Sequence, residues 1–449
     1  MNDFGYSVLG FLLAIAILVA VHEYGHFWVA RKLGVKVLKF SIGFGKSLFK
    51  WRRKNDPTEY SIGIIPLGGF VKMLDEREGD VAPEEIHQAF NRKSLAVRSA
   101  IVAAGPGFNF LFAIFAIWLV FVGGSADIEP IVGQVVEKSI AENAGFKAGD
   151  VMLQLDGKAV KTWGQHQFYM LHQAMKGNPL EFSVANPAYG SRTITIDFGG
   201  PNGIDQQTVV GQPITSLIGI WPPAPAAKVS RVVENSPAEQ AGLVAEDEIL
   251  AIDGVIVRDW IDMARQISNK PGATLRLTIL RQQQQRDVSL VANSVTVDGK
   301  QYGRIGLYRP RLENTTLRFG PLESIWQSID YNWRTTAITL RSLGRMLSAK
   351  MSSENLAGPI TIARLAGQTV QSGYADFLKF LAIISVSLGL LNLLPIPILD
   401  GGHLLYFLIE AITGKAPSEK IMMWGQQIGI AMILMLMVLA FYNDIARLL

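Results

Sequence analysis

The sequence predicts an α-helical polytopic membrane protein with four transmembrane helices, a small β-sheet in its first loop and an α+β region in its second. Three observations support this fold class. Four stretches without a charged residue are each long enough to cross a hydrocarbon core of about 30 Å. Of the 449 residues, 49% are hydrophobic and 18% are charged, which is more apolar than an average soluble protein. About 250 residues separate the second stretch from the third, enough for two compact domains.

The four charge-free stretches are residues 4–21, 99–126, 380–399 and 421–443. We interpret the first as a retained span and not as a signal peptide, because no basic leader precedes it and no small-residue cleavage site follows it. Each stretch is expected to form one transmembrane helix in contact with the lipid bilayer.

Basic residues in the short loops predict the orientation of the spans. Nine Lys and Arg residues lie between positions 31 and 54, whereas none precedes the first span. This loop is therefore expected in the cytoplasm, with the long region after the second span and both termini outside. The formal charge of +4 largely reflects this bias, and no basic stripe interleaved with aromatic residues predicts nucleic-acid binding.

An H-E-x-x-H motif, His22-Glu23-Tyr24-Gly25-His26, ends the first span. On a helix, residues four positions apart share one face, so both imidazoles can bind one Zn²⁺ while Glu23 reaches a metal-bound water as general base. The chain contains no cysteine, which leaves His, Asp or Glu as the third ligand. Residues 28–33 supply none of these, so the third ligand is expected from a distant segment.

The end of the third span offers that ligand. Its sequence runs N-x-x-P-x-P-x-L-D-G-G-H from Asn392 to His403, and Pro395 and Pro397 interrupt the helix at membrane depth. The topology places this segment at the same cytoplasmic depth as the H-E-x-x-H motif. Asp400 and His403 are both candidates, and a carboxylate fits the usual catalytic zinc pattern better. The alternative for D-G-G is an ordinary turn that ends a helix.

The first cytoplasmic loop predicts a small sheet. Residues 35–42 alternate as a strand, and residues 59–73 predict a hairpin with Pro66-Leu67-Gly68-Gly69 at its turn. This apolar hairpin is placed to re-enter the bilayer beside the metal motif and to hold substrate as an added strand, with Ile64, Gly68 and Gly69 as contact residues. The alternative is a structural sheet that caps the cytoplasmic face.

The region between spans two and three contains an internal repeat. Residues 132–157 and 229–254 align without gaps, and the shared positions include Val135/Val232, Ser139/Ser236, Ala144-Gly145/Ala241-Gly242, Asp150/Asp247 and Asp156-Gly157/Asp253-Gly254. Each copy predicts a strand, a short helix, a Gly turn, a second strand and a D-G hairpin turn. This pattern resembles PDZ domains of the bacterial, circularly permuted kind.

PDZ domains bind an extended peptide as an added strand. We expect residues 217–220 to be the peptide-binding strand of the second copy, and the first copy shows no convincing counterpart. The alternative is that both copies are spacers that restrict access to the membrane site.

An amphipathic helix is predicted over residues 322–347, where Leu322, Trp326, Ile329 and Trp333 recur at helical spacing. It can lie on the outer membrane surface or pack beneath the repeat, and packing is favoured.

The predicted domains are a first transmembrane helix (1–32), a cytoplasmic loop with the hairpin (33–95), a second transmembrane helix (96–126), two PDZ domains (127–213 and 214–310), an outer amphipathic segment (311–375), a third transmembrane helix with L-D-G-G (376–403) and a fourth transmembrane helix with the C-terminus (404–449).

Three motifs together resemble the site-2 protease family of intramembrane zinc metalloproteases. They are H-E-x-x-H, G-P-x-x-N at residues 105–109 and N-x-x-P-x-P-x-L-D-G-G, and the resemblance covers nearly the whole chain. It implies that His22, His26 and Asp400 bind zinc and that Glu23 is the catalytic base. It also places Asn392, Pro395 and Pro397 on a substrate-facing segment. Ser387 departs from the pattern, because an asparagine is expected there.

The resemblance further implies a protease of the bacterial inner membrane with periplasmic termini and its active site in the cytoplasmic half. Its expected partners are single-span membrane proteins, such as anti-sigma factors and remnant signal peptides, that are cleaved after a first cut outside. The PDZ pair would then act as a size filter. A membrane-anchored PDZ scaffold with a structural zinc site is the alternative, and a peptidase for soluble peptides is disfavoured by the buried motif.

Overall fold

The structure is a computed structural model that describes residues 3–54, 56–198, 213–297, 300–310, 315–348 and 357–446. The chain divides into two compact units. We call Met1–Ser125 together with Arg318–Leu449 the membrane unit, and Ala126–Leu317 the repeat unit. Within the described residues, four helices are long and apolar enough to cross a bilayer, which equals the predicted number of spans.

In the first part of the membrane unit, one long helix precedes a pair of strands in the chain and a second long helix follows it. The elements are α1 (Asp3–Lys32), β1 (Val37–Arg52), β2 (Glu59–Met73) and α2 (Leu95–Gly123), with two 3₁₀ turns at Ile86–Gln88 and Phe90–Arg92. The Ser94 side chain caps α2 by accepting a hydrogen bond from the Val97 amide. The H-E-x-x-H motif is helical, as its spacing requires.

The predicted hairpin within residues 59–73 is wrong. Phe40 of β1 lies opposite Val71 on one side and opposite Tyr60 on the other, and Tyr60 in turn lies opposite Trp51. The two halves of β2 therefore flank the first half of β1 and do not pair with each other. The sequence could not show this arrangement, because the first half of β1 pairs with residues as far away as Met73, which lies opposite Val37, and the register between the two strands shifts midway.

The first half of the repeat unit contains seven strands and three short helices. They are β3 (Ser125–Asp127), β4 (Gln134–Val135), α3 (Ile140–Ala144), β5 (Val151–Leu155), β6 (Lys158–Ala159), α4 (Gln167–Lys176), β7 (Leu180–Asn186), β8 (Gly190–Ile196), α5 (Ile214–Ile218) and β9 (Ile220–Trp221). Four strands form a sheet of order β6-β5-β7-β8, and β4 pairs with β9.

The second half repeats this plan. Its elements are β10 (Arg231–Val232), α6 (Pro237–Gln240), β11 (Glu248–Ile252), β12 (Val255–Ile256), α7 (Trp260–Ser268), β13 (Thr274–Arg281), β14 (Gln284–Val291), β15 (Asn293–Val297), β16 (Lys300–Arg304), β17 (Leu307–Tyr308) and β18 (Thr315–Leu317). The sheet order β12-β11-β13-β14 corresponds strand by strand to that of the first half, and β10 pairs with β17.

The predicted boundary at 213/214 between the two copies is wrong. Ile214, Ile218 and Ile220 are buried in the core of the first copy, and Ile220 pairs with Val135 of that copy. Residues 217–220 therefore belong to the first copy and are not a strand of the second. This pairing joins positions 85 residues apart, which a local sequence pattern does not report. Residues 199–212, which the prediction assigned to the first copy, lie outside the described residues.

The second copy has its own equivalent of this segment. Leu307 pairs with Val232 as Ile220 pairs with Val135, so Ile305-Gly306-Leu307 corresponds to Ile218-Gly219-Ile220. In both copies the central glycine has a positive φ, +89° at Gly219 and +86° at Gly306.

The rest of the membrane unit is helical. Its elements are α8 (Pro321–Leu347), α9 (Pro359–Ser372), α10 (Tyr374–Asn392), α11 (Asp400–Thr413) and α12 (Glu419–Ala446). The predicted third span is too long, because α10 ends at Asn392. D-G-G does not end a helix but begins α11, so the turn interpretation is wrong. Pro395 and Pro397 explain the break, since the residue before a proline disfavours the helical conformation.

The amphipathic helix is confirmed as α8, but its polarity is inverted relative to a soluble protein. The small polar residues Ser324 and Ser328 are fully buried, whereas Leu322, Trp326 and Trp333 are 80%, 74% and 70% exposed. An exposed apolar face with Trp side chains is typical of a helix that contacts lipid.

Helix α9 was not predicted from the sequence. Its first turn is capped from α12: the buried Asp444 carboxylate accepts hydrogen bonds from the Gly358, Ile360 and Thr361 amides at 2.8–3.2 Å. Along its length α9 crosses α1 at small residues, because a Cβ on Gly10 would lie only 2.8 Å from the Ala366 backbone.

Each copy of the repeat is anchored by a buried aspartate. Arg281 Nε and Nη2 donate to the two Asp247 oxygens at 2.6 and 2.7 Å. In the first copy, Arg192 Nη2 alone donates to both Asp150 oxygens, at 2.8 and 2.6 Å. Burial opposes ionisation of Asp247, but the bonds from Arg281 and the Val244 amide outweigh it and hold the pKa of that carboxyl below its ordinary value.

We therefore predict that Asp247 stabilises the second copy in a pH-dependent way. A carboxyl whose pKa is lower in the folded state contributes its full stabilisation above its unfolded pKa of about 3.9 and loses it as the pH falls through the folded value. Thermal unfolding followed by Trp fluorescence should give Asp247→Asn a lower melting temperature than wild type at pH 7, with the difference shrinking below about pH 4. The exposed Asp287→Asn on β14 is the control and should match wild type. A difference that is independent of pH would contradict this assignment.

Candidate metal centre

Three ligand atoms from two helices converge in the membrane unit. His22 Nε2 and His26 Nε2 of α1 are 3.3 Å apart, and Asp400 Oδ2 of α11 lies 3.3 Å from the first and 3.5 Å from the second. Among the described residues, these three are the one His, Asp or Glu group close enough to hold a metal ion. The triangle brings together residues nearly 380 positions apart in the chain.

The size and composition of this triangle fit zinc. Ligands about 2.0–2.1 Å from a tetrahedral ion lie about 3.3 Å from each other, which is the separation of the three donor atoms. Two imidazoles and one carboxylate are also the donor set of catalytic zinc sites, which keep a fourth position open for water or substrate.

The protonation of His26 supports a cation at the centre. His26 Nδ1 lies 2.9 Å from the Ile101 carbonyl oxygen, which can only accept, so Nδ1 must donate. In the neutral ring, Nε2 then carries a lone pair that faces the Asp400 carboxylate and His22 Nε2. Asp400 Oδ2 is buried and has no hydrogen-bond partner among the described residues. Acceptors that face each other repel unless a cation lies between them.

Asn109 of α2 orients the other histidine. Its side-chain amide lies 3.1 Å from His22 Nδ1, and Asn109 itself is fully buried. The amide nitrogen Nδ2 is the atom placed beside His22 Nδ1. When His22 presents Nε2 to a metal, Nδ1 carries the proton, and the Asn109 amide turned by 180° accepts it through Oδ1, which has no other partner within the described structure. Asn109 and the Ile101 carbonyl thus fix both imidazoles from the same helix.

Gly105 lies between these two positions on α2, directly against the imidazoles. A Cβ at Gly105 would be 2.3 Å from His26 Nε2 and 2.8 Å from His22 Cε1. On the facing helix, a Cβ at Gly25 would be 2.4 Å from the Ala104 carbonyl oxygen. Both glycines are therefore required for the close approach of α1 and α2.

Two glycines likewise place Asp400. A Cβ at Gly401 would be 2.2 Å from the Leu394 carbonyl oxygen, and one at Gly402 would be 2.3 Å from that of Ile396. The loop after α10 therefore folds back over the first turn of α11. D-G-G is the sequence that permits this fold while presenting the carboxylate of Asp400 to α1.

A cavity of about 790 Å³ opens beside the triangle. It is lined by Glu23, by the strand segment 69–73 of β2 and by the α11 residues Asp400, His403, Tyr406, Phe407 and Glu410. Gly69 packs against the general-base candidate, because a Cβ there would lie 2.8 Å from Glu23 Cγ. The second candidate ligand, His403, lines the cavity but is not part of the triangle.

The predicted substrate contacts are only partly gathered at this cavity. Gly69 lines it, whereas the described lining does not include Ile64, Gly68, Asn392, Pro395 or Pro397. Gly68 instead lies against the Phe44 ring, and Ile64 is 57% exposed. Ser387 donates its hydroxyl hydrogen bond to Ile383 of its own helix.

The roles of Gly105 and Asn109 were missed at the level of sequence, although their G-P-x-x-N motif was noticed. A buried amide in a charge-free span and a glycine four residues before it were the available signals.

Comparisons with known proteins identify the family of this chain. The family model described as "Peptidase family M50" matches residues 10–436. The regulator of sigma-E protease RseP of Escherichia coli (strain K12) is 39% identical over 469 residues, covering 100% of both chains. The regulator of sigma E protease of Salmonella typhi is 38% identical over 456 residues, with 99% of each chain covered. A Vibrio cholerae serotype O1 protein named "Putative zinc metalloprotease" is 40% identical over 457 residues, covering 100% of both.

We predict that Gly105→Ala abolishes metal binding while leaving the membrane unit folded. The added methyl group would occupy the space of the His26 ring and turn it away from the triangle. Gly107→Ala is a matched control on the same helix, because a Cβ there meets nothing within 4 Å. Zinc content of the purified variants by mass spectrometry should fall only in Gly105→Ala. Equal zinc content in both variants would refute the steric argument.

Proposed function

The chain belongs to peptidase family M50, the site-2 proteases, and is a zinc metalloprotease of the membrane; from this premise we propose that it cleaves the transmembrane segments of single-span proteins at a zinc ion held by His22, His26 and Asp400. The observation that carries the proposal is the convergence of three ligand atoms beside Glu23, two of them on a helix that is apolar enough to span a bilayer. The fit of this triangle to zinc supports all three ligands.

When bound, zinc polarises the scissile carbonyl and lowers the pKa of water toward neutrality. Glu23 lines the cavity beside the ligands, where it accepts a proton from the attacking water and passes it to the leaving amine. Asn109 and the Ile101 carbonyl hold the imidazoles so that each presents Nε2. Asp400 completes the ligand set from the opposite side.

The substrate must lose its helical structure before it can be cut, because helical carbonyls are hydrogen-bonded and crowded. The segment 69–73 supports binding as an added strand. It lines the cavity, its Gly69 lies against Glu23, and its strand partners among the described residues are on β1. Gly69 is the predicted contact residue closest to the chemistry. Ile64, Gly68, Asn392, Pro395 and Pro397 would act farther along the path of the substrate.

The proposed substrates are anti-sigma factors and remnant signal peptides that have already been cut outside. Two full-length relatives are named regulators of sigma-E, which supports an anti-sigma substrate. The nine basic residues between positions 31 and 54 support a cytoplasmic first loop, and hence periplasmic termini and a site in the cytoplasmic half of the inner membrane.

The two copies in the repeat unit act in this proposal as PDZ domains and as a size filter. The second copy has a cavity of about 640 Å³ between α7 and the segment 303–309, lined by Trp260, Met263 and Ile305. This is the position in which a PDZ domain holds a peptide beside its strand and helix. An intact outer domain would be too bulky to pass the pair, so cleavage would require prior trimming.

We predict that Glu23→Gln abolishes proteolysis while retaining zinc. The amide cannot accept the water proton, whereas the three ligands remain in place. Purified wild type, Glu23→Gln, Asp400→Ala and His403→Ala are incubated with a single-span model substrate, and cleavage and zinc are measured. Asp400→Ala should lose zinc and His403→Ala should keep it. Full cellular function of Glu23→Gln would favour the scaffold alternative, and the opposite zinc pattern would make His403 the ligand.

We predict that deletion of residues 133–310 permits cleavage of untrimmed substrate. Removal of both copies leaves the metal centre, which lies wholly in the membrane unit, while removing the barrier. The ratio of cleavage rates for a substrate with and without its outer domain is measured in wild type and in the deletion variant. The ratio should rise toward one; an unchanged ratio would overturn the filter.

A further inference from the structure

We propose that the ion pair between Arg98 of α2 and Glu410 of α11 is a positioning element that holds Asp400 at the metal centre. This inference rests on the proposed zinc site and concerns residues outside its motifs. This charged pair lies two turns or more from the ligands. Neither zinc binding by the three ligands nor the role of Glu23 explains why it is there.

One face of α2 carries every contact that the helix makes with the metal centre. Ile101 accepts the His26 hydrogen bond, Gly105 lies against both rings and Asn109 meets His22. Arg98 lies one turn before Ile101, and the spacing of 3, 4 and 4 residues places all four on the same side of the helix.

One face of α11 lies opposite this face of α2. Asp400, His403, Phe407 and Glu410 recur at spacings of 3, 4 and 3 residues, and all of them line the cavity. Arg98 Nη2 donates to Glu410 Oε1 at 2.6 Å, and the Arg98 guanidinium lies 5.0 Å from the centre of the Phe407 ring. Arg98 therefore contacts two successive turns of α11.

The two ends of α11 are held by different means. At the first turn, the backbone contacts of Gly401 and Gly402 fix the position of Asp400. Glu410 lies about 15 Å farther along the axis at 1.5 Å per residue. Among the described residues, its bond to Arg98 is the one ion pair that joins α11 to another element, apart from the contacts of Asp400 itself. Two anchors at this separation fix the tilt of the helix, and hence the direction of the carboxylate.

The ion pair between Arg98 and Glu410 is largely shielded from solvent, so its loss is expected to affect the position of α11. The Arg98 and Glu410 side chains are 13% and 22% exposed, and Arg98 Nε is buried without a hydrogen-bond partner in the described structure. Removal of Glu410 leaves a largely buried guanidinium without its hydrogen-bonded carboxylate, which costs far more than the loss of a surface ion pair. The helix would shift to hydrate the charge and carry Asp400 with it.

The test measures zinc affinity by competition with a chelator in full-length protein purified in detergent. The variants are Arg98→Glu, Glu410→Arg, Glu410→Gln and the double exchange Arg98→Glu/Glu410→Arg. Each charge reversal should weaken zinc binding at least about tenfold, as loss of a supporting contact typically does, and the double exchange should recover most of that loss. Glu76→Gln, which removes the exposed pair with Arg92, is the control and should match wild type.

Thermal unfolding of each variant separates misfolding from misplacement. If a charge reversal unfolds the protein, Glu410→Gln takes its place and should still weaken zinc binding while remaining folded. Wild-type zinc affinity in folded Glu410→Gln, or a double exchange no better than the single variants, would overturn the inference. Failure of the zinc site itself is distinguishable, because Asp400→Ala would then retain wild-type affinity.

Discussion

The membrane unit depends on one constraint: two imidazole nitrogens and one carboxylate oxygen face each other within 3.5 Å, an arrangement that a bound metal cation stabilises. His26 Nδ1 donates to the Ile101 carbonyl, so in the neutral ring the inner nitrogen presents a lone pair to the centre of the triangle. The metal site is therefore preorganised by the Ile101 carbonyl, which is not itself a metal ligand. Binding of the metal in turn ties α1 to α11, two helices from opposite ends of the chain.

The fold meets this constraint by packing backbone and side chains very closely at a few glycines. Gly105 gives space to the imidazoles, Gly25 to α2, Gly401 and Gly402 to the loop before α11, and Gly69 to Glu23. Most of these glycines lie inside motifs that read as turns. Their role is steric, since each stands where a methyl group would collide with a neighbour. Close packing at glycines lets a protease in a bilayer form a compact site without polar side chains on its lipid-facing surfaces.

The sequence predicted the number of spans, the helical H-E-x-x-H motif and the pairing of Asp400 with it. These rest on local pattern and on chain topology, which hydropathy and basic residues report directly. It failed where distant segments pair. Ile220 belongs with Val135, and Phe40 lies between Val71 and Tyr60, because hydrogen bonding between remote strands leaves no local periodicity.

By itself, the sequence determined the chemistry of this protein, because the donor types and the zinc-hydrolase pattern follow from residue identity and spacing. Only the tertiary structure decided which atoms meet. It selected Asp400 over His403 for the triangle, set Asn109 and the Ile101 carbonyl behind the imidazoles, and joined Arg98 to Glu410. The physical reason is that spacing fixes the face of a helix, whereas the partner of that face depends on how closely two backbones approach.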